Sequence, residues 1–188
     1  MNIIIFGPPG AGKGTQSNFI VKKYNIFQIS TGKILREEIK NKTEIGQKIY
    51  SLMSSGSLVE DKIVNKLIED IVSNKKYENG FIFDGYPRNL DQVNNLGNLL
   101  NKYNQKIDIV LKLSVSLETI KKRISERQLL EKRPDDNEEI AIKRYKTYEK
   151  STEPVIEFYK TLNLLKVIDG ERSIDQINKE ISDIISLI

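Results

Sequence analysis

The sequence predicts a single α/β domain, spanning residues 1–188, in which a five-stranded parallel sheet lies between two layers of helices. Short apolar segments recur along the chain, and amphipathic helical patterns separate them. A chain of 188 residues can build one sizeable core but hardly two independent ones. The predicted strands are Ile3 to Phe6, Ile26 to Ile29, Phe81 to Phe83, Ile109 to Leu113 and Leu164 to Ile168.

The first predicted strand leads into a glycine-rich turn, GPPGAGKGT, which begins at Gly7 and is followed by a helical pattern. Its glycines allow backbone N–H groups to converge, the helix N-terminus adds partial positive charge, and Lys13 adds a full charge. A turn that only joins a strand to a helix would explain the glycines but not this lysine. The spacing is that of a P-loop, although Gly14 stands where a Ser or Thr is usual and the hydroxyl follows at Thr15.

The third predicted strand ends in a second polar turn, with Asp84, Gly85 and Arg88 following Phe83. In a parallel sheet this turn lies at the same edge as the glycine-rich turn. Asp84 would suit Mg²⁺ held through water, and Arg88 would suit a second phosphate. A surface pair of Asp84 and Arg88 explains residues 81–88 equally well, so both interpretations stay open at this point.

Four arginines follow the fourth predicted strand. Arg123 and Arg127 share one face of a helix that begins near Ser116, Arg133 precedes the next helix, and Arg144 lies within that helix. A single arginine usually pairs with acids on its own helix. Four of them near a P-loop indicate stabilisation of the charge that develops during phosphoryl transfer.

Two segments interrupt the alternation and are predicted to be mobile insertions, residues 30–59 and residues 123–136. The last helix is predicted to start at a capping box formed by Ser173 and Gln176. Its apolar stripe is predicted to pack against the core, although a membrane or partner helix has the same pattern; its members are Ile174, Ile177, Ile181, Ile184 and Ile188.

Composition narrows the function classes. The net charge is +4, but lysines alternate with acids on helix faces, which is typical of solvated surfaces and not of a nucleic-acid tract. The chain has neither cysteine nor histidine, so a disulfide framework, an ordinary zinc site and a histidine base are excluded. No apolar run approaches the ~20 residues that span a bilayer, and Met1 leads directly into the first strand. We expect a cytoplasmic monomer without membrane or nucleic-acid partners.

With these residues assembled, the chain resembles the adenylate kinases, in their short-lid form, within the nucleoside monophosphate kinase superfamily. The resemblance covers essentially the full length. The segments that carry it are GPPGAGKGTQ from Gly7, QISTGKILR from Gln28, GSLV from Gly56, GFIFDGYPRNLDQ from Gly80 and RPDDNEE from Arg133.

The resemblance implies transfer of a phosphoryl group from Mg-ATP to AMP in a P-loop fold, with 30–59 closing over AMP and 123–136 closing over ATP. It assigns Asp84 to magnesium through water, with Thr15 as a further candidate. The catalytic residues that the resemblance implies are Lys13, Arg88, Arg123, Arg133 and Arg144. Its ATP-binding residues are Gly10, Ala11, Gly12, Lys13, Gly14, Thr15, Arg123, Arg127 and Arg172. Its AMP-binding residues are Thr31, Arg36, Ser57, Leu58, Val59, Gly85, Tyr86, Arg88, Gln92, Arg133 and Arg144.

Two residues favour AMP over pyrimidine acceptors. Relatives that phosphorylate UMP or CMP typically have Ala at the position of Thr31 and Asn at the position of Gln92. Taken alone, Gln92 could equally be an exposed residue of a helix. Lys33 stands where the family commonly has Asp, and no glycine precedes Arg133. The alternatives are a UMP or CMP kinase, a nucleotide-gated switch with one site, and, more remotely, a nucleic-acid-binding protein.

Overall fold

The structure is a computed structural model that describes residues 1–74, 77, 79–131 and 137–188. Its elements are β1 Ile3–Phe6, α1 Lys13–Tyr24, β2 Phe27–Ser30, α2 Thr31–Lys40, α3 Glu44–Ser54, α4 Asp61–Val72, β3 Phe81–Asp84, α5 Leu90–Asn101, β4 Ile109–Ser114, α6 Leu117–Glu131, α7 Glu138–Thr161, β5 Leu165–Asp169 and α8 Ile174–Ile185. Among these described residues, no helix is both long enough and apolar enough to cross a bilayer.

All five strands pair in parallel, in the order β2-β3-β1-β4-β5. Central strand β1 places Ile3 opposite Ile82 on one side and opposite Ile109 on the other. The predicted five-stranded parallel sheet is confirmed. Two of its strands are displaced by one residue, since β2 begins at Phe27 and β5 begins at Leu165.

Alternation along β1 divides the core between the two faces of the sheet. Ile3 and Ile5 pack with the apolar residues of α1 and α8, whereas Ile4 and Phe6 pack with those of α4, α5 and α7. All four side chains are at most 3% exposed. Each contributes about 1.5–3 kcal/mol by leaving water. The predicted helices on both faces are therefore confirmed.

The segment 30–59 contains two short helices, α2 and α3, which pack closely on each other. The side chain of Thr43 caps α3 by accepting a hydrogen bond from the Gly46 backbone N–H at 3.0 Å. A Cβ atom on Gly46 would lie only 2.1 Å from the backbone oxygen of Glu38 in α2. Glycine at this position lets the two helix backbones approach each other.

The last helix, α8, has the predicted capping box between Ser173 and Gln176. Its apolar stripe differs from the prediction at both ends, because Ile174 is 56% exposed and Ile188 is 62% exposed. The helix ends at Ile185, so Ile188 lies beyond the regular turns, and Ile185 takes the buried position four residues after Ile181. The helix packs against the core, as predicted, chiefly through its middle and last turns.

The helices around the second predicted insertion begin where the sequence indicates. α6 starts at Leu117, and α7 starts after Asn137, whose side chain accepts a hydrogen bond from the Ile140 N–H at 2.8 Å. The predicted lid 123–136 begins within α6, and its residues 132–136, including Arg133, lie outside the described residues.

Candidate functional site

A large cleft opens at the carboxyl edge of the sheet. Register brings Ile5 of β1 opposite Asp84 of β3, so the turns after these two strands are neighbours. The cleft has a volume of about 880 Å³, which is large enough for a nucleotide. The predicted site residues that line it are Gly10, Ala11, Gly12, Lys13, Gly14, Thr15, Arg36, Asp84, Gly85, Arg88, Arg123, Arg127 and Arg172.

The glycine-rich turn has a backbone shape that favours glycine. Gly10 and Gly12 have φ values of 85° and 94°, in the left-handed region that side chains with a Cβ rarely adopt. Gly12 is the N-cap of α1, and it provides no side-chain hydrogen bond to the first turn. The N–H groups of that turn, together with the helix dipole, form an anion-binding site at the cleft.

Lys13 lines the cleft and is hydrogen-bonded to the backbone of the glycine-rich turn. Its Nζ donates hydrogen bonds to the backbone oxygens of Gly7 at 2.7 Å and Pro8 at 3.1 Å. Removal from water lowers the pKa of Lys13 to about 8, an effect that nearby Asp84 opposes and that the surrounding arginines, of which Arg88 is the first, reinforce. Lys13 is thus a cation whose charge a bound polyphosphate would stabilise.

A backbone oxygen of the turn after β3 positions the Arg88 side chain. The Nε of Arg88 donates to the Gly85 oxygen at 2.7 Å, and the Thr31 hydroxyl donates to the same oxygen at 3.0 Å. Gly85 has a φ of 82°, and a Cβ there would lie 2.7 Å from the Thr31 hydroxyl. The described hydrogen bonds of Arg88 go to Gly85 and Gln92, not to the Asp84 carboxylate, which instead accepts from the Ser30 hydroxyl at 3.3 Å. These contacts favour the site interpretation of this turn over the surface pair.

A smaller cleft adjoins the first and shares part of its wall. Lys13, Gly85 and Arg88 line both clefts, and the predicted residues Leu58 and Arg144 line the smaller one. The pKa of Arg88 is lowered to about 10, chiefly by burial and also by the charge of Arg144, while the charge of Asp84 opposes the shift. Two neighbouring pockets therefore meet at a shared group of cations.

The arginines on the far side of the large cleft connect distant segments. Arg123 donates through Nη2 to the Gly170 oxygen at 2.9 Å and through Nη1 to the Ala11 oxygen at 3.4 Å. Arg172 is paired with Glu180, and its Nε lies 3.7 Å from an Asp169 carboxylate oxygen. Arg123 therefore fixes the glycine-rich turn relative to the segment after β5.

Five predicted acceptor-side residues do not line either cleft in this conformation: Thr31, Ser57, Val59, Tyr86 and Gln92. Ser57 contacts the hydroxyl of Ser55 at 3.0 Å. Tyr86 is fully buried, and burial raises the pKa of its phenol to about 12. Gln92 is 4% exposed, which contradicts its interpretation as an exposed helix residue.

Sequence reasoning missed the partners that hold Gln92. Its Nε2 donates to the Asp61 carboxylate at 2.5 Å, and its Oε1 accepts from the Arg88 backbone N–H at 2.8 Å. Asp61 follows the GSLV segment by only a few residues, but neither its spacing nor its neighbours mark it as part of a site. The cleft also includes side chains that sequence reasoning left unassigned, among them Gln16, Gln28, Ser30, Glu126 and Ile174.

The donor groups of the large cleft fit one kind of metal ion. Asp84 and Thr15 both line it, whereas the described residues contain no cluster of three or more His, Cys, Asp or Glu side chains that could cage an ion. The Asp84 carboxylate with the Thr15 hydroxyl suits Mg²⁺, which keeps part of its water shell and is shared with substrate phosphates.

Comparison with known proteins gives a consistent family. A family model described as adenylate kinase matches residues 5–164. Among curated relatives, the adenylate kinase of Pelagibacter ubique (strain HTCC1062) is 46% identical over the whole of both chains. The adenylate kinase of Fusobacterium nucleatum is 40% identical over 98% of each chain, and that of Bartonella henselae is 39% identical over 98% of this chain and 100% of its own.

Proposed function

This chain belongs to the adenylate kinase family of nucleoside monophosphate kinases, and from that membership we propose that it catalyses reversible phosphoryl transfer from Mg-ATP to AMP, giving two ADP. One structural observation on this chain supports the proposal. Lys13 after β1 and Arg88 after β3 lie in the wall common to two adjoining clefts, so a donor and an acceptor can meet between them.

The donor side uses the glycine-rich turn. Backbone N–H groups from Gly10 to Thr15 and the Lys13 ammonium bind the ATP phosphates, as expected for an anion at a helix N-terminus. Arg123 and Arg127 approach from α6, and Arg172 approaches from the segment after β5. These cations hold the polyphosphate in line and neutralise the charge of the transferring group.

The acceptor side uses the region where the smaller cleft meets the large one, since Arg144 lines the smaller cleft, Arg36 lines the large one and Arg88 lines both. Arg88, Arg36 and Arg144 bind the AMP phosphate, and Arg133 is assigned to the same group by the resemblance alone. Arg88 suits this role because its guanidinium is positioned by the Gly85 oxygen and lies near other cations, so that a phosphate dianion would relieve their mutual repulsion. The resemblance alone assigns Thr31, Leu58, Val59 and Gln92 to the base.

The reaction needs no protein base. The AMP phosphate is largely a dianion at neutral pH, because its second pKa is about 6, and one of its oxygens attacks the γ-phosphorus directly. The residues of the site therefore align the two nucleotides, neutralise charge and exclude water. Closure of 30–59 and 123–136 over the substrates would complete the arginine set and keep water from hydrolysing ATP.

Asp84, with Thr15 as a further candidate, would hold Mg²⁺, largely through water. When bound, the ion supplies charge neutralisation on the ATP phosphates. Asp84 is positioned for this by the Ser30 hydroxyl, which donates to its Oδ2 at 3.3 Å and leaves lone pairs of the carboxylate for water.

A coupled assay tests the proposed function. Protein is mixed with Mg-ATP and, in separate reactions, AMP, UMP or CMP, and ADP formation is followed. We expect turnover with AMP that far exceeds turnover with either pyrimidine nucleotide. Lys13→Ala should abolish it, whereas Lys22→Ala, an exposed lysine in the last turn of the same helix, should not. Absence of AMP-dependent ADP formation would overturn the proposal.

A further inference from the structure

A chain of hydrogen bonds connects α4, the turn after β3 and α5 behind the acceptor cleft. The Asp61 carboxylate accepts from Gln92 Nε2 at 2.5 Å through one oxygen and from Asn89 Nδ2 at 2.8 Å through the other. Gln92 Oε1 accepts from the Arg88 backbone N–H at 2.8 Å. Gln92 is therefore held at both ends of its amide, by one group that only accepts and one that only donates.

These two partners allow a single orientation of the Gln92 amide. A carboxylate accepts hydrogen bonds and a backbone N–H donates them, so reversing the amide would set two donors against each other at Arg88 and two acceptors against each other at Asp61. Gln92 is 4% exposed, so water does not compensate for such mismatches. The orientation is thus imposed by its partners.

Asp61 is itself prevented from turning. Asn89, which donates to it, is the N-cap of α5, and its Oδ1 accepts from the Gln92 backbone N–H at 2.8 Å. Reversing the Asn89 amide would break this cap. Asp61 is also the first residue of α4, where a negative charge is favoured by the helix dipole.

Beyond these two partners, the fixed amide retains one N–H and one lone pair, and the resemblance directs this amide at the acceptor base. Adenine presents an acceptor at N1 and a donor at its 6-amino group, which match this pair, whereas hypoxanthine presents a donor at N1 and an acceptor at O6, which oppose it. We propose that Asp61 is a positioning residue that fixes the Gln92 amide and thereby makes the acceptor site select AMP over IMP. The inference rests on the proposed function and names a determinant of its acceptor specificity.

The variant Asp61→Asn tests the inference with almost no change of shape. The new amide has one acceptor oxygen facing two donors, Asn89 Nδ2 and Gln92 Nε2, so one donor meets an N–H group. Because Asn89 is locked by its cap, Gln92 gains by reversing, and both of its orientations become populated. Asp70→Asn is the matched control, since Asp70 lies on the same helix in an exposed pair with Lys66, at 2.8 Å.

The measurement is the ratio of kcat/KM for AMP to that for IMP, with the ratio of the two equilibrium dissociation constants, measured without ATP, as a second readout. We expect Asp61→Asn to lower both ratios by roughly tenfold to a hundredfold, the effect of one or two mismatched buried hydrogen bonds. Asp70→Asn should keep the parent ratios. A purely structural role of Asp61 would weaken AMP and IMP alike and leave the ratios unchanged, and that result would overturn the inference.

Thermal unfolding checks that Asp61→Asn is folded. If it is not, Asp61→Ala takes its place. Alanine leaves the orientation of Gln92 to the Arg88 N–H alone, so the ratios should fall in the same direction by a smaller factor, and unchanged ratios would again overturn the inference. A parent protein that phosphorylates AMP while its Asp61 variants retain selectivity refutes this inference only; a parent protein that forms no ADP from AMP refutes the proposed function itself.

Discussion

Lys13 carries an ammonium group whose charge is only weakly supported before a nucleotide binds. Its pKa is lowered to about 8, so it is charged at pH 7 and mostly neutral at pH 9. Bound phosphates favour the charged form, and binding above pH 8 must therefore take up a proton. We expect the affinity for ATP to be about tenfold lower at pH 9 than at pH 7. Isothermal titration calorimetry in buffers of different ionisation enthalpy measures both the affinity and the proton uptake.

The variant Lys13→Met serves as the control for this pH dependence. It should bind ATP weakly at every pH, and its affinity should change little between pH 7 and pH 9. An equal loss of affinity in the parent and the variant would show that another group titrates. The lowered pKa also affects the unliganded protein: the unfolded chain holds this proton up to its ordinary pKa of 10.5, so the contribution of Lys13 to stability rises as pH increases from 8 to 10.5.

Arg88 should matter for catalysis and little for folding. In Arg88→Ala the Gly85 oxygen keeps its hydrogen bond from Thr31, and the repulsion that Arg88 shares with Arg144 disappears. We expect kcat/KM to fall by roughly 10²–10³, which is the effect of removing one charge-stabilising donor, with an unchanged or slightly higher Tm. Steady-state kinetics and thermal unfolding of the same preparations check both parts. A large loss of Tm would mean that Arg88 is mainly structural.

Single residues were predictable where local sequence carries the signal. Lys13 follows a strand at P-loop spacing, and Arg88 follows another strand, so their meeting at one edge could be expected from the rules of parallel sheets. The contact between Asp61 and Gln92 spans 31 positions and depends on how α4 packs against α5. No local pattern encodes that packing, so the partner of Gln92 was not foreseen.

At the scale of elements, two helical glycines should respond in opposite ways to the same substitution. In Gly46→Ala the new Cβ would lie 2.1 Å from the Glu38 oxygen, so α2 and α3 must separate. We expect a loss of about 1–3 kcal/mol or more, as for other overpacked positions. In Gly97→Ala the Cβ meets nothing within 4 Å, and α5 should gain about 0.5–1 kcal/mol.

Urea unfolding of the two alanine variants measures both changes against the parent protein. Equal effects of the two substitutions would contradict the close approach of α2 and α3. Binding of AMP to Gly46→Ala is a further readout, because residues 30–59 are proposed to close over that substrate. Its affinity should fall, whereas the affinity of Gly97→Ala should match the parent.

The helices and strands themselves were largely foreseeable, and their ends less so. The capping box of α8 could be read from Ser173 and Gln176 because a cap depends only on neighbouring residues. The burial of its ends could not, because Ile174 and Ile188 are as apolar as Ile181. Ile174 is exposed since it lines the cleft, and Ile188 is exposed since it follows the last turn.

At the scale of the whole molecule, the shared wall of the two clefts predicts that one ligand can occupy both. A compound with two adenosines joined by a polyphosphate should raise Tm more than ATP and AMP added together at the same concentration, because the second half binds at high effective concentration. Differential scanning fluorimetry measures this. Lys13→Ala and Arg88→Ala should each reduce the shift, and stabilisation no greater than that by ATP alone would contradict the arrangement.

The sheet as a whole was predictable in its class but not in its order. Five apolar segments separated by helical patterns indicated a parallel sheet. The strand order is β2-β3-β1-β4-β5. Similar apolar segments such as Ile3–Phe6 and Ile109–Ser114 do not indicate which strands they will pair with.

The position of β1 has a consequence for synthesis of the protein. β1 is central in the sheet, yet it precedes both of the strands that flank it, since Ile3 pairs with Ile82 and with Ile109. During synthesis, β1 has neither of its neighbouring strands to pair with until β3 and then β4 emerge from the ribosomal exit tunnel. Such long-range pairing is slow to nucleate, and the waiting segment is exposed to aggregation and to chaperones. We therefore expect β1 to be fully paired only after β4 has been translated.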